Sequence, residues 1–488
     1  MNDHSLKKKL FSGFFWKFAE RIFAQGISFA VSVVLSRLLL PEEFGIVALV
    51  MIFINIANVF VVSGISTALV QNKDADNIDF STNFYCSLTV SLAVYAILFA
   101  AAPYIARFYD MPDLTLVIRI FTLRIPLSTF NAIQHAYVER HMQFRKFFFS
   151  TLFGTVFSGI VGIVMALYGF GVWALIAQYF TNTIVDTIVL FFTVPWKPRL
   201  QFSAASAKRM MGFGWKVLAA DLSGTVFDQL RSLLVGKVYT TADLAFYNKG
   251  KNLPDLIANN VKSTVMTVLF PAISNINDDR QRVKELTRRS LSVMAYVLFP
   301  ALFGMAAAAR PLITVLFTEV WEESVPFVQL LSVSAALGLL GSISLQTMKA
   351  LGRSDILLLL EFIKKPVYLI LLIVGIKISV LAVAVTMLVY TVYGGLVNAY
   401  QLKKLIGYTY SEQLKDLLSP MLFTALMCGV IILISLLPIP DLPMLIMQVV
   451  LGAAVYVGIS YITKDVNFTA LCRVVKEKRS KNGPQEDL

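Results

Sequence analysis

Residues 13–29 read GFFWKFAERIFAQGISF and residues 212–227 read GFGWKVLAADLSGTVF. Both open on Gly-Phe-x-Trp-Lys, and both are apolar stretches that carry polar residues at steps of three or four, the signature of one helical face. In the first that face holds Lys17, Arg21, Gln25, Ser28, Ser32 and Ser36; in the second it holds Asp221, Thr225, Asp228, Ser232 and Gly236, with Arg231 three residues from Asp228. The correspondence continues in chain order. SRLLLPEEF at 36–44 answers GKVYTTADL at 236–244, FYD at 108–110 answers FTE at 317–319, and GVWA at 171–174 answers SVLA at 379–382. An even number of apolar runs separates each pair, so the duplication predicts parallel repeats related by an axis along the membrane normal.

The rest of the chain has the composition that such helices require. Of 488 residues, 57% are hydrophobic and only 15% charged, and the mean hydropathy is +0.71; this is the profile of an integral membrane protein. Apolar runs of roughly 20 residues, the length a helix needs to cross the hydrocarbon, occur fourteen times. The predicted fold is therefore all-α, with 14 transmembrane helices: an N-lobe of six over 1–200, a C-lobe of six over 201–408, two further helices over 409–463, and a cytoplasmic tail over 464–488 that is polar enough to be disordered. With the N-terminus inside, about 27 of the 43 lysines and arginines fall in cytoplasmic segments and about 6 outside, which orients both termini to the cytoplasm. That asymmetry accounts for the net charge of +13 without nucleic acid. Cys86, Cys428 and Cys472 have neither metal-ligand nor redox spacing. The segment 135–147, HAYVERHMQFRKF, alternates aromatic and basic residues as an interfacial stretch does.

The unusual feature is charge inside the spans. Lys17, Arg21, Arg119, Arg124, Lys216, Arg231, Lys262, Arg310, Lys364 and Lys365 outnumber Glu20, Asp186, Asp221, Asp228 and Glu361. A cation at the bilayer centre costs on the order of 2.5 to 3.5 kcal/mol on the insertion scale, so such residues face protein, water or a ligand. An excess of them points to an anionic cargo. Part of the set has a plainer explanation. Glu20 with Lys17, Asp228 with Arg231 and Glu361 with Lys365 are spaced to pair, Asp186 is placed to cap or pair with a neighbour, and Lys262 and Arg310 lie nearer span ends, where they can snorkel to the interface. Arg124 has no acid in its own helix, and Ser128, Asn131 and His135 share its face.

SRLLLPEEFG at 36–45, together with DQLRSLLVG at 228–236, DLAFYNKG at 243–250 and Leu253-Pro254, resembles the polysaccharide exporters of the multidrug/oligosaccharidyl-lipid/polysaccharide flippase superfamily. The likeness is Wzx-like, is nearest the colanic-acid and teichuronic-acid exporters, and covers nearly the whole chain. It implies the two-lobed fold of that superfamily and a flippase, not an enzyme. Its substrate would be an oligosaccharide on undecaprenyl diphosphate, moved by alternating access across the bacterial cytoplasmic membrane, with membrane lipids, a polymerase and glycosyltransferases as partners. It also implies a cationic cavity. Position and charge nominate Lys17, Arg21, Arg124, Arg231, Lys364 and Lys365 for the diphosphate, and Glu20, Asp221, Asp228 and Glu361 for coupling to H+ or Na+. No resident cofactor or metal is expected, and with only three histidines a histidine switch is not. The rival readings are a drug or metabolite antiporter of the same superfamily and a membrane polymerase or glycosyltransferase. The extra helix pair and positive spans count against the first, and the short external loops against the second.

Overall fold

In the computed structural model, residues 3–62, 69, 76–470 and 472–473 are described, the side chains of 3–15 and 213 excepted. Of the tail expected over 464–488 to be disordered, residues 466–470 and 472–473 are helical, and the part beyond 473 lies outside the described residues. The elements are α1 (Asp3–Leu38), α2 (Pro41–Val62), α3 (Asn77–Phe108), α4 (Leu114–Phe121), α5 (Arg124–Arg140), α6 (Phe144–Leu167), α7 (Val172–Thr193), α8 (Ala204–Val238) and α9 (Thr241–Ser274). There follow α10 (Arg280–Ala307), α11 (Ala309–Phe317), a 3-10 turn (Glu319–Ser324), α12 (Val325–Ala350), α13 (Ser354–Ile378), α14 (Val380–Ile406), α15 (Tyr410–Ile434) and α16 (Asp441–Ile462).

Among the described residues, 12 helices are long and apolar enough to cross a membrane, which makes this a multi-pass membrane protein. The expected count was 14. The two helices that fall short are α8 and α13, 35 and 25 residues long. Length does not exclude them; they are the seventh and eleventh runs, the ones carrying charge along their length.

Local chemistry sets the helix starts. Pro41 opens α2 where its missing N–H costs nothing, and the Glu43 carboxylate accepts from the Leu40 N–H at 2.9 Å. At the matching loop 200 residues on, Asp243 accepts from the Thr240 N–H at 3.1 Å while its own N–H donates to the Thr240 hydroxyl at 3.1 Å. The residues aligned by sequence, Glu43 and Asp243, thus do the same work at the two helix starts. These starts also meet: a Cβ on Gly45 would sit 1.9 Å from the Thr241 carbonyl oxygen, so only glycine fits.

The chain divides into two compact units, Met1–Ala245 and Phe246–Leu488. In the first, α3 packs on α4 and α5, α5 on α7, α6 on α7, and α1 on α6. The α1–α6 contact is close, a Cβ on Gly159 falling 2.5 Å from the Val31 side chain. In the second unit, α10 packs on α12, α12 on α14 and α13 on α14. Counting helices from the start of each repeat, these are the same pairings: third with fourth, fourth with sixth, fifth with sixth.

Chain order places α8 at the start of the second repeat, yet it packs on α2 and α3. The segment leading into it is strapped down. The Arg199 and Ser203 N–H groups donate to Ser81 Oγ at 3.3 Å and Thr82 Oγ1 at 3.0 Å, and Trp196 is buried against Phe80 and Phe84. Asp79, buried near the start of α3, accepts from the Ser206 hydroxyl and from Arg209 Nη2 at 2.9 Å.

In the second unit, α15 is stapled to α10. Arg288 donates two hydrogen bonds to Asp416, Nε at 2.8 Å and Nη2 at 2.7 Å, Lys284 reaches Glu412 at 2.8 Å, and the buried Tyr408 hydroxyl donates to Asp416 at 2.7 Å. Burial and the Asp416 carboxylate both push the Tyr408 hydroxyl pKa up, so it remains a donor.

Candidate functional site

The nominated cations fall in both units, and each unit is described by itself. In the first, α4 and α5 are interrupted at Thr122–Leu123, and Arg124 begins α5. Its Nε donates to Thr183 Oγ1 of α7 at 2.7 Å and its guanidinium lies 5.3 Å from the centre of the Tyr179 ring. Among the described residues Arg124 therefore meets a hydroxyl and an aromatic face, not a carboxylate, and its charge is left uncancelled.

Further along the same α5 face the polar stripe closes on α7. Asn131 Nδ2 donates to Asp186 Oδ2 at 2.9 Å and to the Thr183 carbonyl at 3.3 Å, while its Oδ1 accepts from Thr187 Oγ1 at 2.6 Å. His135 Nε2 lies 3.3 Å from the same Asp186 oxygen. From α6 the Ser150 hydroxyl donates to Asp186 Oδ1. Asp186 is thus the acceptor at the centre of a four-residue group drawn from three helices. Each member of this group except Ser150 stands out in the sequence; what pattern reading lacks is the register of α5 against α7.

Lys17 corrects an expectation. Its partner is Glu139 on α5, at 3.8 Å, with the Phe144 ring 5.3 Å from its Nζ, rather than Glu20 on its own helix. Because Glu139 lies fifteen residues beyond Arg124, the Lys17 and Arg124 positions are separated by about 22 Å of helix at 1.5 Å per residue. They do not form one pocket. Arg21 and Glu20, beyond Lys17 on α1, are half-buried; Arg231 on α8 is buried, whereas Asp221, Asp228 and Lys216 of that helix are exposed.

In the second unit the local spacing holds. Glu361 lies 3.9 Å from Lys364 and 3.6 Å from Lys365. Lys364, buried, also reaches Asn398 Oδ1 of α14 at 3.4 Å, and Asn398 Nδ2 donates to the Gly341 carbonyl of α12 at 3.3 Å. Glu361 thus reaches both lysines, close to where α12, α13 and α14 meet. Lys262, expected at an interface, lies well inside α9 with its Nζ 3.7 Å from the position of a Gly338 Cβ; the longer observed helix, which starts at Thr241, accounts for the difference. Arg310 pairs with Glu322 at 2.9 Å, both exposed, as an interfacial residue would. Lys249 was not singled out by sequence. It is buried with its Nζ 4.3 Å from the Phe317 ring centre and 4.6 Å from that of Trp321, a cation–π box that no helical periodicity reveals.

The profile of the polysaccharide biosynthesis protein family matches residues 34–326, more than half of the chain. Relatives include the succinoglycan biosynthesis transport protein ExoT of Rhizobium meliloti (strain 1021), 26% identical over 342 residues that cover 70% of this chain and 69% of that protein. The lipopolysaccharide biosynthesis protein WzxC of Escherichia coli (strain K12) is 24% identical, covering 72% of each, and the teichuronic acid biosynthesis protein TuaB of Bacillus subtilis (strain 168) is 22% identical, covering 75% of this chain and 76% of that protein. Among solved structures, the lipid II flippase MurJ in an inward closed conformation superposes with a TM-score of 0.74 at 16% identity, over 93% of this chain and 98% of that one. At that identity the likeness speaks for the fold alone, which this chain shares with that flippase.

Proposed function

The chain belongs to the polysaccharide biosynthesis protein family, and from that premise we propose that it is a flippase for a lipid-linked oligosaccharide carried on undecaprenyl diphosphate. The names of the relatives motivate the substrate class: succinoglycan, lipopolysaccharide and teichuronic acid are all cell-surface polymers. In this reading 14 helices cross the bacterial cytoplasmic membrane with both termini inside. Lobes over 1–200 and 201–408 alternate access, and helices over 409–463 are an appendage. A polymerase and glycosyltransferases act before and after it.

One observation carries the reading: Arg124 is held by neutral partners, Thr183 and Tyr179, and among the described residues no carboxylate pairs with it. A guanidinium so placed suits phosphate, which it can bind through two oxygens at once. Lys364 and Lys365, both within 4 Å of Glu361, are further cations in the second unit. The polyprenyl tail stays in lipid while the head group crosses, and an H+ or Na+ gradient or the membrane potential supplies the drive.

The experiment is complementation of a deletion strain that accumulates lipid-linked repeat units in the inner leaflet. The double variant Arg21→Gln/Arg124→Gln should reach the membrane at normal level and fail to restore polymer export. Full export from that variant refutes the reading.

A further inference from the structure

We propose that the seam of α1 and α6 binds an anionic phospholipid of the surrounding bilayer, with its phosphate on Arg145 and an acyl chain along a phenylalanine stripe of α6. The inference rests on membrane residence alone, not on the flippase reading. At this end of the first unit three membrane-crossing segments reach the surface together. The span of α1 begins at Trp16, the span through α4 and α5 ends at Arg140, and that of α6 begins at Phe144. The aromatic and basic segment 135–147 is therefore the end of one span, a turn and the start of the next.

Arg145 is exposed, and its guanidinium carbon lies 5.6 Å from the centre of the Trp16 ring and 5.6 Å from that of Phe149. Rings hold a guanidinium through cation–π attraction and leave its charge in place. Among the described residues no carboxylate pairs with Arg145 or with the adjacent Lys146. Of the acids at this end, Glu139 is engaged by Lys17, and Glu20 lies one turn deeper than Trp16 on α1.

Below the guanidinium the same helix face turns apolar. Arg145, Phe149, Phe153 and Phe157 follow one another at steps of four on α6, so they line one side of it. The Phe149 and Phe153 rings stack with centroids 6.4 Å apart, and Trp16 closes the upper end with its ring 6.1 Å from that of Phe149. Phe153 and Phe157 are 42% and 51% exposed. The faces that α6 turns to its neighbours are others: Gly154 and Gly162 face Asn182 and Gln178 of α7, and Gly159 faces Val31 of α1. From Arg145 to Phe157 the stripe runs about 18 Å along the helix, close to one leaflet of a roughly 30 Å hydrocarbon core. A charge at the surface with an apolar track one leaflet deep beneath it is complementary to a phosphate joined to a hydrocarbon chain. The guanidinium can take two phosphate oxygens at once. A zwitterionic lipid would bring an ammonium toward Arg145 and Lys146, so the pair selects the anionic class.

The test titrates the delipidated full chain in detergent with phosphatidylglycerol and with phosphatidylcholine of the same acyl chains, and reads retained lipid by native mass spectrometry. A cation beside an anionic lipid is worth about fivefold in affinity, so Arg145→Gln should cut the wild-type preference for phosphatidylglycerol about fivefold, and Lys146→Gln should lower it too. Lys208→Gln removes an exposed cation from the start of α8, and hence the same net charge, and should leave the preference unchanged. Phe153→Ala should weaken retention of both lipids and preserve their ratio. An unchanged preference in Arg145→Gln, or an equal loss in Lys208→Gln, overturns the site. So does displacement of bound phosphatidylglycerol by equimolar glycerol 3-phosphate or polyprenyl diphosphate, which would make the ligand a free phosphate or the cargo. A dimer that Phe153→Ala dissociates assigns the stripe to a second copy of the chain and overturns the lipid site as well. Absence of wild-type flipping alongside an intact lipid preference rejects the flippase reading and leaves this site standing.

Discussion

Replacing Asp79 with alanine should release the segment that leads into α8. The carboxylate is nearly buried and does three things: it accepts from the buried Ser206 hydroxyl, from Arg209, and from the Asp76 N–H at 3.3 Å as half of the capping box that starts α3. A buried hydroxyl left without its acceptor costs about 1–3 kcal/mol, and losing the box at a helix start costs about 1 kcal/mol. Arg209 is 62% exposed, so its ion pair adds only a few tenths after solvent screening. The sum is about 2–4 kcal/mol, directed at local opening of the strap rather than at global unfolding. Arg199 lies in this strap with its backbone held by Ser81, and it is followed by Leu200, a bond that trypsin cuts. Trypsin therefore reads the opening directly: where opening is fast relative to cleavage, the rate at this site follows the open population, so Asp79→Ala should raise it about 30- to 700-fold. Cleavage after Arg199 within about threefold of the wild type, in protein that remains folded, would refute the assignment of Asp79 as the anchor.

Two further substitutions test the packing. Gly45→Ala should sharply lower the yield of folded protein, because its Cβ would meet the Thr241 carbonyl at 1.9 Å, whereas Gly26→Ala, with nothing within 4 Å, should be neutral or stabilising by up to about 1 kcal/mol; equal melting temperatures for the two would contradict the packing of α2 on the start of α9. Asp416→Ala leaves the Arg288 guanidinium and the buried Tyr408 hydroxyl without their acceptor and should cost about 2–4 kcal/mol, loosening α15 from α10. A double-mutant cycle with Arg288→Ala that returns no coupling energy would remove the staple from the account of this unit.

Interactions local in the chain were legible in advance. Glu361 with Lys364 and Lys365 follows from steps of three and four on one helix, and the matched carboxylates of Glu43 and Asp243 follow from aligning two loops. Interactions between helices were not. Spacing favoured Glu20 for Lys17, but the relative rotation of α1 and α5 brings Glu139 to it instead. Asp79 gave no signal at all, since an acid at a helix start is ordinarily just a cap, and its second role appears only when the α7–α8 segment lies across it.

Membrane residence, the repeated polar helices and the family were therefore determined by sequence alone, because hydropathy, helical periodicity and short motifs are properties of contiguous residues. The tertiary structure decided which charges are cancelled and which are presented. Arg124 rests on a hydroxyl and a ring, Asp186 gathers donors from α5 and α6, and Lys364 reaches Asn398 across to α14. Those outcomes depend on the rotation and register of whole helices against one another. A displacement of one residue along a helix turns each side chain by about 100° and changes every partner.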